Sequence, residues 1–174
     1  MNRTELARTI HDVSNLQGSF VLRSGAVATE YFDKYLFESD PVLLRNIAEN
    51  LLPLIPAGAD ALAGLELGGV PIATVLSQLS GLPLLSVRKE AKEYGTRRLA
   101  EGGEVAGRRL LVVEDVVTSG GQVVLSTRDL KERGASVTHA LCVIDREAGG
   151  AQALAAEGVE LRALFSMSEL KAAG

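Results

Sequence analysis

A short apolar run that ends in two acids and a glycine-rich turn restricts this chain to few folds. The segment 110–122, LLVVEDVVTSGGQ, continues from apolar residues into Glu114 and Asp115 and then into the turn 118–121. Because the run is short, β-branched and without polar alternation, we predict a strand buried on both faces, as in a parallel sheet. Ligands of such sheets bind beyond the carboxyl ends of the strands. The end of this segment is therefore the first place to look for a ligand site.

The rest of the chain alternates between helical and strand-like patterns. Before residue 60 we predict an amphipathic helix over 4–16 with Thr4 as its N-cap, a hairpin or bent ribbon over 19–33, and a helix that starts at Asp40–Pro41. Apolar runs predict later strands at 61–67, 83–87, 109–114, 136–145 and 159–165, with helices between them. This order calls for right-handed crossovers and helices on both faces of the sheet. We therefore predict an α/β fold, with residues 1–174 as one domain.

Composition narrows the functional classes. The formal net charge is -4, which gives no general attraction to nucleic acid or to an anionic membrane. Cys142 is the only cysteine, so an intramolecular disulfide is impossible and a reducing compartment is expected. No apolar run approaches the roughly 20 residues of a membrane helix, and the N-terminus lacks the apolar core of a signal peptide. We expect a cytoplasmic protein.

The two acids and the turn that follows them suit a sugar phosphate. Glu114 and Asp115 could bind a divalent cation, act as an acid/base pair, or accept hydrogen bonds from two sugar hydroxyls. The turn 118–121, TSGG, offers backbone N–H groups and hydroxyls just before a helix, which is an anion cradle. The segment has neither the lysine of the pattern GxxxxGK[ST] nor the spacing of GxGxxG. A phosphate in the turn and a diol on the acids would together describe a ribose 5-phosphate.

Several segments resemble one family. Residues 112–121, VVEDVVTSGG, resemble the phosphoribosyl-pyrophosphate (PRPP) motif of type I phosphoribosyltransferases. The basic segment 88–96, RKEAKEYGT, followed by Glu101 and Gly102, resembles the catalytic loop of orotate phosphoribosyltransferases. The ribbon 20–25 with residues 31–33, and the turn 145–147, are similar to the substrate ribbon and the base-binding turn of the same family. The resemblance covers roughly residues 19–150.

This resemblance implies the type I phosphoribosyltransferase fold, with a small N-terminal hood at 1–40 and a PRPP-binding core at 41–174. It also implies a role for each matching residue, Lys92 being the foremost candidate for catalysis with Lys89 and Arg88 beside it. The implied contacts are Arg88, Lys89, Lys92 and Gly69 for pyrophosphate; Glu114 and Asp115 for the ribose hydroxyls; Thr118, Ser119, Gly120, Gly121 and Gln122 for the 5'-phosphate; and Arg146, Thr118, Arg23 and Phe32 for orotate.

The implied reaction joins PRPP and orotate to give orotidine 5'-monophosphate and pyrophosphate, in de novo pyrimidine (UMP) biosynthesis. The family further implies Mg2+, held mainly by PRPP oxygens and waters, and a homodimer that shares the 88–102 loop across subunits. Two alternatives stay open: a phosphoribosyltransferase for another base, and a non-catalytic PRPP-sensing regulator of the same fold. The chain departs from many members at Arg23 and Gly68, where they carry lysine, and from some at Tyr94, where they carry histidine.

Overall fold

The computed structural model describes residues 1–22, 24–91 and 98–174. The helices are α1 (Arg3–Ser14), α2 (Lys34–Ser39), α3 (Pro41–Leu51), α4 (Gly69–Ser80), α5 (Gly121–Glu132), α6 (Gly150–Ala156) and α7 (Met167–Ala173), and a 3-10 turn, Leu52–Leu54, follows α3. The strands are β1 (Asn15–Val21), β2 (Val27–Phe32), β3 (Ala61–Leu65), β4 (Leu84–Val87), β5 (Ala100–Glu101), β6 (Arg109–Val117), β7 (Ser136–Asp145) and β8 (Glu160–Ser166).

The strands from β3 onward form one sheet with β6 in its interior. Across the described residues the order of the sheet is β5-β4-β3-β6-β7-β8. Neighbouring strands are parallel, except that β4 and the short β5 are antiparallel. The prediction of an α/β fold with a mainly parallel central sheet is therefore confirmed.

Helices cover both faces of this sheet. Successive residues of a strand point to opposite faces, and in β6 this divides the apolar run between two cores. Leu111 and Val113 belong to the core that α1–α4 cover, and Leu110 and Val112 belong to the core under α5 and α6. Each of the four is at most 3% exposed. A strand that is buried on both sides has no polar face, which explains its unbroken apolar sequence.

The N-terminal segment combines a hairpin with two helices that join the main core. Strands β1 and β2 are antiparallel and form a sheet of their own, so the predicted hairpin is confirmed. Leu6 and Ile10 of α1 and Phe37 of α2 are fully buried in the core that contains Leu111 and Val113. These contacts hold the hairpin above the carboxyl ends of β6 and β7.

The N-terminal helix differs from its prediction at both ends. Asn2, not Thr4, is the N-cap: its side chain accepts from the Glu5 N–H, and the Glu5 carboxylate accepts from the Asn2 N–H. This reciprocal pair satisfies two free N–H groups, which Thr4 at its position inside the helix cannot do. The helix ends at Ser14 because the next residues pair with β2.

Two other elements near the candidate site depart from expectation. Helix α2 was not predicted; the Asp33 side chain caps it by accepting from the Tyr35 N–H at 3.0 Å. Strand β6 does not end at Glu114 but continues to Val117, because Val116 and Val117 pair with β7. The acids are therefore residues within a strand. None of the helices in the described parts of the chain combines the length and the apolar character that crossing a bilayer requires.

Candidate functional site

Glu114 and Asp115 lie near the carboxyl end of β6, and both side chains are buried. They are 9% and 1% exposed, respectively. As consecutive strand residues they point to opposite sides of β6: Glu114 faces the turn before α5, and Asp115 faces the start of α4. The Glu114 Oε1 atom also accepts the Asp115 N–H at 3.0 Å. The pair therefore sits between two helix N-termini.

The turn after β6 leads into α5, at the place where the sequence predicts an anion cradle. Gly120 is the N-cap of α5 with a φ of 78°, a left-handed conformation that a glycine adopts without strain, and no side chain caps the helix. The first N–H groups of α5 therefore face outwards without a side-chain partner, as an anion site requires. Thr118, Ser119, Gly121 and Gln122 are exposed. A cavity of about 190 Å3 is lined by Glu114, Val116, Val117 and residues 118–123.

The start of α4 presses against β6 beside the acids. A Cβ atom on Gly68 would lie 1.6 Å from Oδ2 of Asp115, and one on Gly69 would lie 2.2 Å from the carbonyl oxygen of Val113. Both positions are buried, and no side chain caps α4. The helix brings its N-terminus to the acids only because neither residue has a side chain. The turn at Gly68, where many family members carry lysine, has no room for a side chain in this arrangement.

A larger cavity lies between the hairpin, α2 and the ends of β6 and β7. Its volume is about 450 Å3, and its walls include Phe32, Lys34, Thr118, Arg146 and Lys171. Thr118 lines both this cavity and the smaller one at the cradle. The structure thus brings together three of the residues predicted to bind orotate, Phe32, Thr118 and Arg146, and places them next to the turn before α5.

Arg146 projects from the turn after β7 with its side chain exposed. Its backbone N–H donates to the Val117 carbonyl at 2.8 Å, which ties the turn to the end of β6. The Asp145 side chain accepts from the Glu147 N–H, and the Glu147 carboxylate accepts from Ser168. The Arg146 guanidinium forms no hydrogen bond or ion pair with any residue in the described ranges, so it is available to a ligand in the large cavity.

The basic segment is described only in part. The Arg88 N–H donates to the Leu99 carbonyl at 2.9 Å, and its guanidinium lies 3.8 Å from the Glu101 carboxylate. Lys89 is exposed, and its backbone N–H donates to Oε2 of Glu66 at 3.4 Å. This contact places the beginning of the segment beside the turn that leads into α4. Lys92, Tyr94 and Arg23 lie outside the described residues, so the roles predicted for Lys92 and Arg23 stay predictions.

Two charged residues of α2 reach the acids, and the sequence motifs did not reveal them. The ammonium group of Lys34 forms an ion pair with Oδ2 of Asp115. One turn further along α2, Glu38 interacts with Asp115 as well. The one signal in the sequence was Asp33 as a possible helix cap. It is followed by Lys34 and Glu38, which are four residues apart and therefore lie on the same face of a helix.

Burial and crowding change how these carboxyls hold their protons. Burial, together with the negative charge of Asp115, raises the pKa of Glu114 well above its usual range. Burial and a hydrogen bond to Asp115 likewise raise the pKa of Glu38. Burial alone would lower the pKa of Lys34, but its hydrogen bond and charge interaction with Asp115 outweigh this, and the pKa is raised. The cluster therefore keeps its lysine charged, and Glu38 and Glu114 hold their protons to a higher pH than a free glutamate does.

No group of three or more His, Cys, Asp or Glu side chains in the described parts of the chain is arranged to hold a metal ion. The carboxylates of Glu114 and Asp115 are hard oxygen ligands of the kind that Mg2+ accepts, but two carboxylates are too few to enclose the ion. These two carboxylates suit a cation that is coordinated mainly by water and by oxygens of a bound ligand.

Comparisons with known proteins agree with this geometry. Residues 42–157 match a family model described as a phosphoribosyl transferase domain. The orotate phosphoribosyltransferase of Nocardioides sp. is 55% identical over 168 residues, covering 97% of this chain and 94% of that protein. The crystal structure of Mycobacterium tuberculosis orotate phosphoribosyltransferase with Fe(III) dicitrate has a TM-score of 0.86 at 32% identity, covering 97% of this chain and 98% of that one. The same enzyme in complex with PRPP has a TM-score of 0.84 at 29% identity, with the same coverage.

Proposed function

The chain belongs to the orotate phosphoribosyltransferase family, and on that premise we propose that it transfers the phosphoribosyl group of PRPP to orotate, releasing pyrophosphate and forming orotidine 5'-monophosphate for pyrimidine synthesis. One observation carries the proposal on the structural side. Thr118 lines both the cavity at the turn before α5 and the cavity that contains Arg146, whose guanidinium has no partner among the described residues. A sugar phosphate in the cradle would therefore present its anomeric carbon to a base in the large cavity.

The sugar phosphate would lie across the end of β6. The uncapped N-terminus of α5 suits the 5'-phosphate, since its N–H groups and helix dipole both favour an anion. Glu114 and Asp115 would accept hydrogen bonds from the ribose hydroxyls. The N-terminus of α4 at Gly69 is the second uncapped helix end at this site. It would receive the diphosphate with help from Arg88, Lys89 and Lys92.

Orotate would bind in the large cavity through its carboxylate. A guanidinium group binds a carboxylate with two parallel hydrogen bonds, and Arg146 has no competing partner in the described residues. Phe32 packs on Phe37 of the core with ring centroids 6.5 Å apart, which gives the cavity a fixed apolar wall for the flat base. Arg23, beyond the described residues, keeps its predicted role at this base.

Catalysis would depend on stabilising the leaving group. Breaking the bond between the anomeric carbon and the diphosphate leaves a cation-like sugar and concentrates negative charge on the departing oxygens. Fixed N–H groups and cationic side chains stabilise that charge best where water is excluded. Closure of the basic segment over the site would bring Lys89 and Lys92 to the diphosphate and exclude water.

We also propose that Mg2+ enters with PRPP, held mainly by diphosphate oxygens and water. When bound, it would neutralise part of the diphosphate charge. The support is the donor set, because the described residues contain no group of three or more His, Cys, Asp or Glu side chains that could hold the ion without other ligands. Magnesium retains its waters readily and needs no cage of protein ligands.

A homodimer that shares the 88–102 segment is a further proposal, and mixing two defective variants tests it. Lys92→Ala removes the loop cation and Arg146→Ala removes the base ligand. If each site combines the loop of one subunit with the core of the other, a mixed dimer has one site with both defects and one with neither. Re-equilibrated mixtures should then recover about a quarter of the normal activity. No recovery would assign the loop to its own subunit.

We propose the cytoplasm as the compartment, supported by the lone Cys142, a free thiol that is fully buried. Cell fractionation tests this directly. Recovery of the protein with the envelope fraction would contradict it.

The activity is tested by following orotate absorbance in the presence of PRPP and Mg2+. The proposal predicts loss of absorbance that requires all three components, together with release of pyrophosphate. A panel of other bases under the same conditions distinguishes a phosphoribosyltransferase of different specificity. A protein that binds PRPP without turning over any base would be the sensing regulator, and the enzyme assignment would then be wrong.

A further inference from the structure

Lys34 joins α2 to the acidic end of β6. It is the first residue of α2, and its ammonium group pairs with Oδ2 of Asp115. Two contacts fix the helix that carries it: Asp33 caps the N-terminus, and Phe37 is fully buried in the core. The side chain of Lys34 is 33% exposed and lines the large cavity. The ammonium group is therefore positioned by a rigid element yet remains open to a ligand.

The same Asp115 oxygen marks the start of α4. A Cβ atom on Gly68 would lie 1.6 Å from Oδ2 of Asp115, the atom that Lys34 pairs with. The ammonium group and the turn before α4 thus meet at one point. Since the turn has no space for a side chain of its own, a cation at this point has to come from another element. Among the described residues, Lys34 is the cation that forms an ion pair with Glu114 or Asp115.

Lys34 and Asp115 form the charged pair at this point, because burial and the neighbouring Asp115 raise the pKa values of Glu38 and Glu114 and favour their neutral forms. A diphosphate that approaches α4 would compete with Asp115 for the Lys34 ammonium group. An ammonium on a flexible stem can exchange one anionic partner for another within a few ångströms. Sugar hydroxyls that donate to Asp115 would stabilise its negative charge in place of Lys34. The ammonium group could then turn to the diphosphate.

We propose that Lys34 is a PRPP-binding residue, which pairs with Asp115 in the free protein and contacts the diphosphate of PRPP when the ribose hydroxyls occupy Asp115. This inference rests on the proposed function, and it adds a ligand from the N-terminal segment that the motifs of the chain do not contain. It assigns the hood a part in binding the leaving group as well as the base.

The test compares two ligands that differ in the diphosphate. Binding of PRPP and of ribose 5-phosphate, both with Mg2+, is measured by titration calorimetry for the full chain and for Lys34→Met, Lys34→Arg and Lys131→Met. Lys131 donates to the Glu157 carbonyl at the far end of α5, so its loss is a matched removal of one ammonium group away from the site. We expect Lys34→Met to weaken PRPP by about tenfold or more and ribose 5-phosphate by less than about threefold. Lys34→Arg should recover most of the PRPP affinity, and Lys131→Met should bind both ligands normally.

Equal weakening of both ligands by Lys34→Met would show that Lys34 only maintains the fold, and unchanged PRPP binding would show that it does not reach the diphosphate. Either result overturns the inference. These measurements need no turnover. A chain that binds PRPP with the expected dependence on Lys34 but does not consume orotate would overturn the proposed function alone.

Discussion

Gly69 lies directly against Val113: a Cβ atom on Gly69 would lie 2.2 Å from the Val113 carbonyl oxygen. Because that oxygen belongs to the backbone of an interior strand, it cannot move aside as a side chain can. The contact holds the uncapped start of α4 beside Glu114 and Asp115. The position of the proposed diphosphate site therefore depends on the absence of one methyl group.

The first prediction follows from this contact. Gly69→Ala should lower the free energy of unfolding by about 1–3 kcal/mol, because α4 has to move away from β6. At this chain length the melting temperature should fall by about 2–4 °C per kcal/mol. The KM for PRPP should rise. Gly18→Ala is the control, since its Cβ would meet only the Phe20 ring, at 3.2 Å. An unchanged melting temperature for Gly69→Ala would contradict the packing described here.

Arg146 should determine the affinity for orotate. Arg146→Ala removes the paired hydrogen bonds to the carboxylate, and kcat/KM for orotate should fall by about 10- to 100-fold while the KM for PRPP changes little. Arg146→Lys should recover only part, since an ammonium group lacks the fork. Steady-state kinetics with each substrate varied in turn measures both. Arg128→Ala, which breaks a surface pair with Glu157, is the control. An Arg146→Ala variant with normal orotate kinetics would show that the base binds elsewhere.

The loop cations should act on turnover more than on binding. Lys89→Ala and Lys92→Ala should each lower kcat by about tenfold or more, with the larger effect at Lys92, because their charge is needed most when the diphosphate departs. Arg98→Ala removes a cation of the same segment whose guanidinium lies 2.8 Å from the Glu104 carboxylate, and it should leave kcat within about twofold. Rapid-quench measurement of a single turnover separates chemistry from product release. Full activity of Lys92→Ala would exclude the loop mechanism.

The acids at the end of β6 predict a dependence of stability on pH. The pKa values of Glu38 and Glu114 are raised on folding by burial and by Asp115, so between pH 5 and the raised values the folded chain holds protons that the unfolded chain has lost. Unfolding then becomes easier as the pH rises. One such proton changes the free energy of unfolding by at most about 1.4 kcal/mol per pH unit.

Removing one of these groups should reduce that dependence. In both proteins the melting temperature should fall between pH 5.5 and 8.5. The slope of this fall should be smaller in Glu38→Gln than in the unaltered protein, by about 1–3 °C per pH unit. Partial exposure of Glu38 keeps the effect below its upper limit. Glu49→Gln changes an exposed partner of Arg45 on α3 and should leave the slope as it is. Parallel slopes for Glu38→Gln and the unaltered protein would contradict the proposed coupling.

The N-cap of α1 is Asn2, whereas the sequence alone predicted Thr4, and substitution of each residue tests which one caps the helix. Asn2→Ala should lower the free energy of unfolding by about 1 kcal/mol, because the Glu5 N–H loses its side-chain acceptor. Thr4→Ala should change it by less than about 0.5 kcal/mol, since alanine is the better residue inside a helix. Urea denaturation measures both. A larger loss for Thr4→Ala would restore Thr4 as the cap.

Local sequence patterns were sufficient to predict the structure wherever a residue's neighbours in sequence are also its neighbours in space. The apolar run before Glu114 predicted a strand buried on both faces, and the TSGG turn predicted a curled segment just before a helix N-terminus, which the structure has at Gly120. The length of β6 was missed because Val116 and Val117 look the same whether they end a strand or begin a loop. Their pairing with β7 decides the matter.

By itself, the sequence determined the α/β order of elements, the acids and the glycine-rich turn, because periodicity and turn chemistry are properties of adjacent residues. Arg146 became a candidate base ligand through the resemblance of its turn to that of a known family. Only the tertiary structure decided that Lys34 and Glu38 reach Asp115 from a helix about 80 positions earlier, and that Gly68 leaves no space for a side chain beside the same carboxylate. The physical reason is that burial in a shared core brings distant segments together. Charge interactions and close backbone contacts between them arise from that packing, and no local pattern records them.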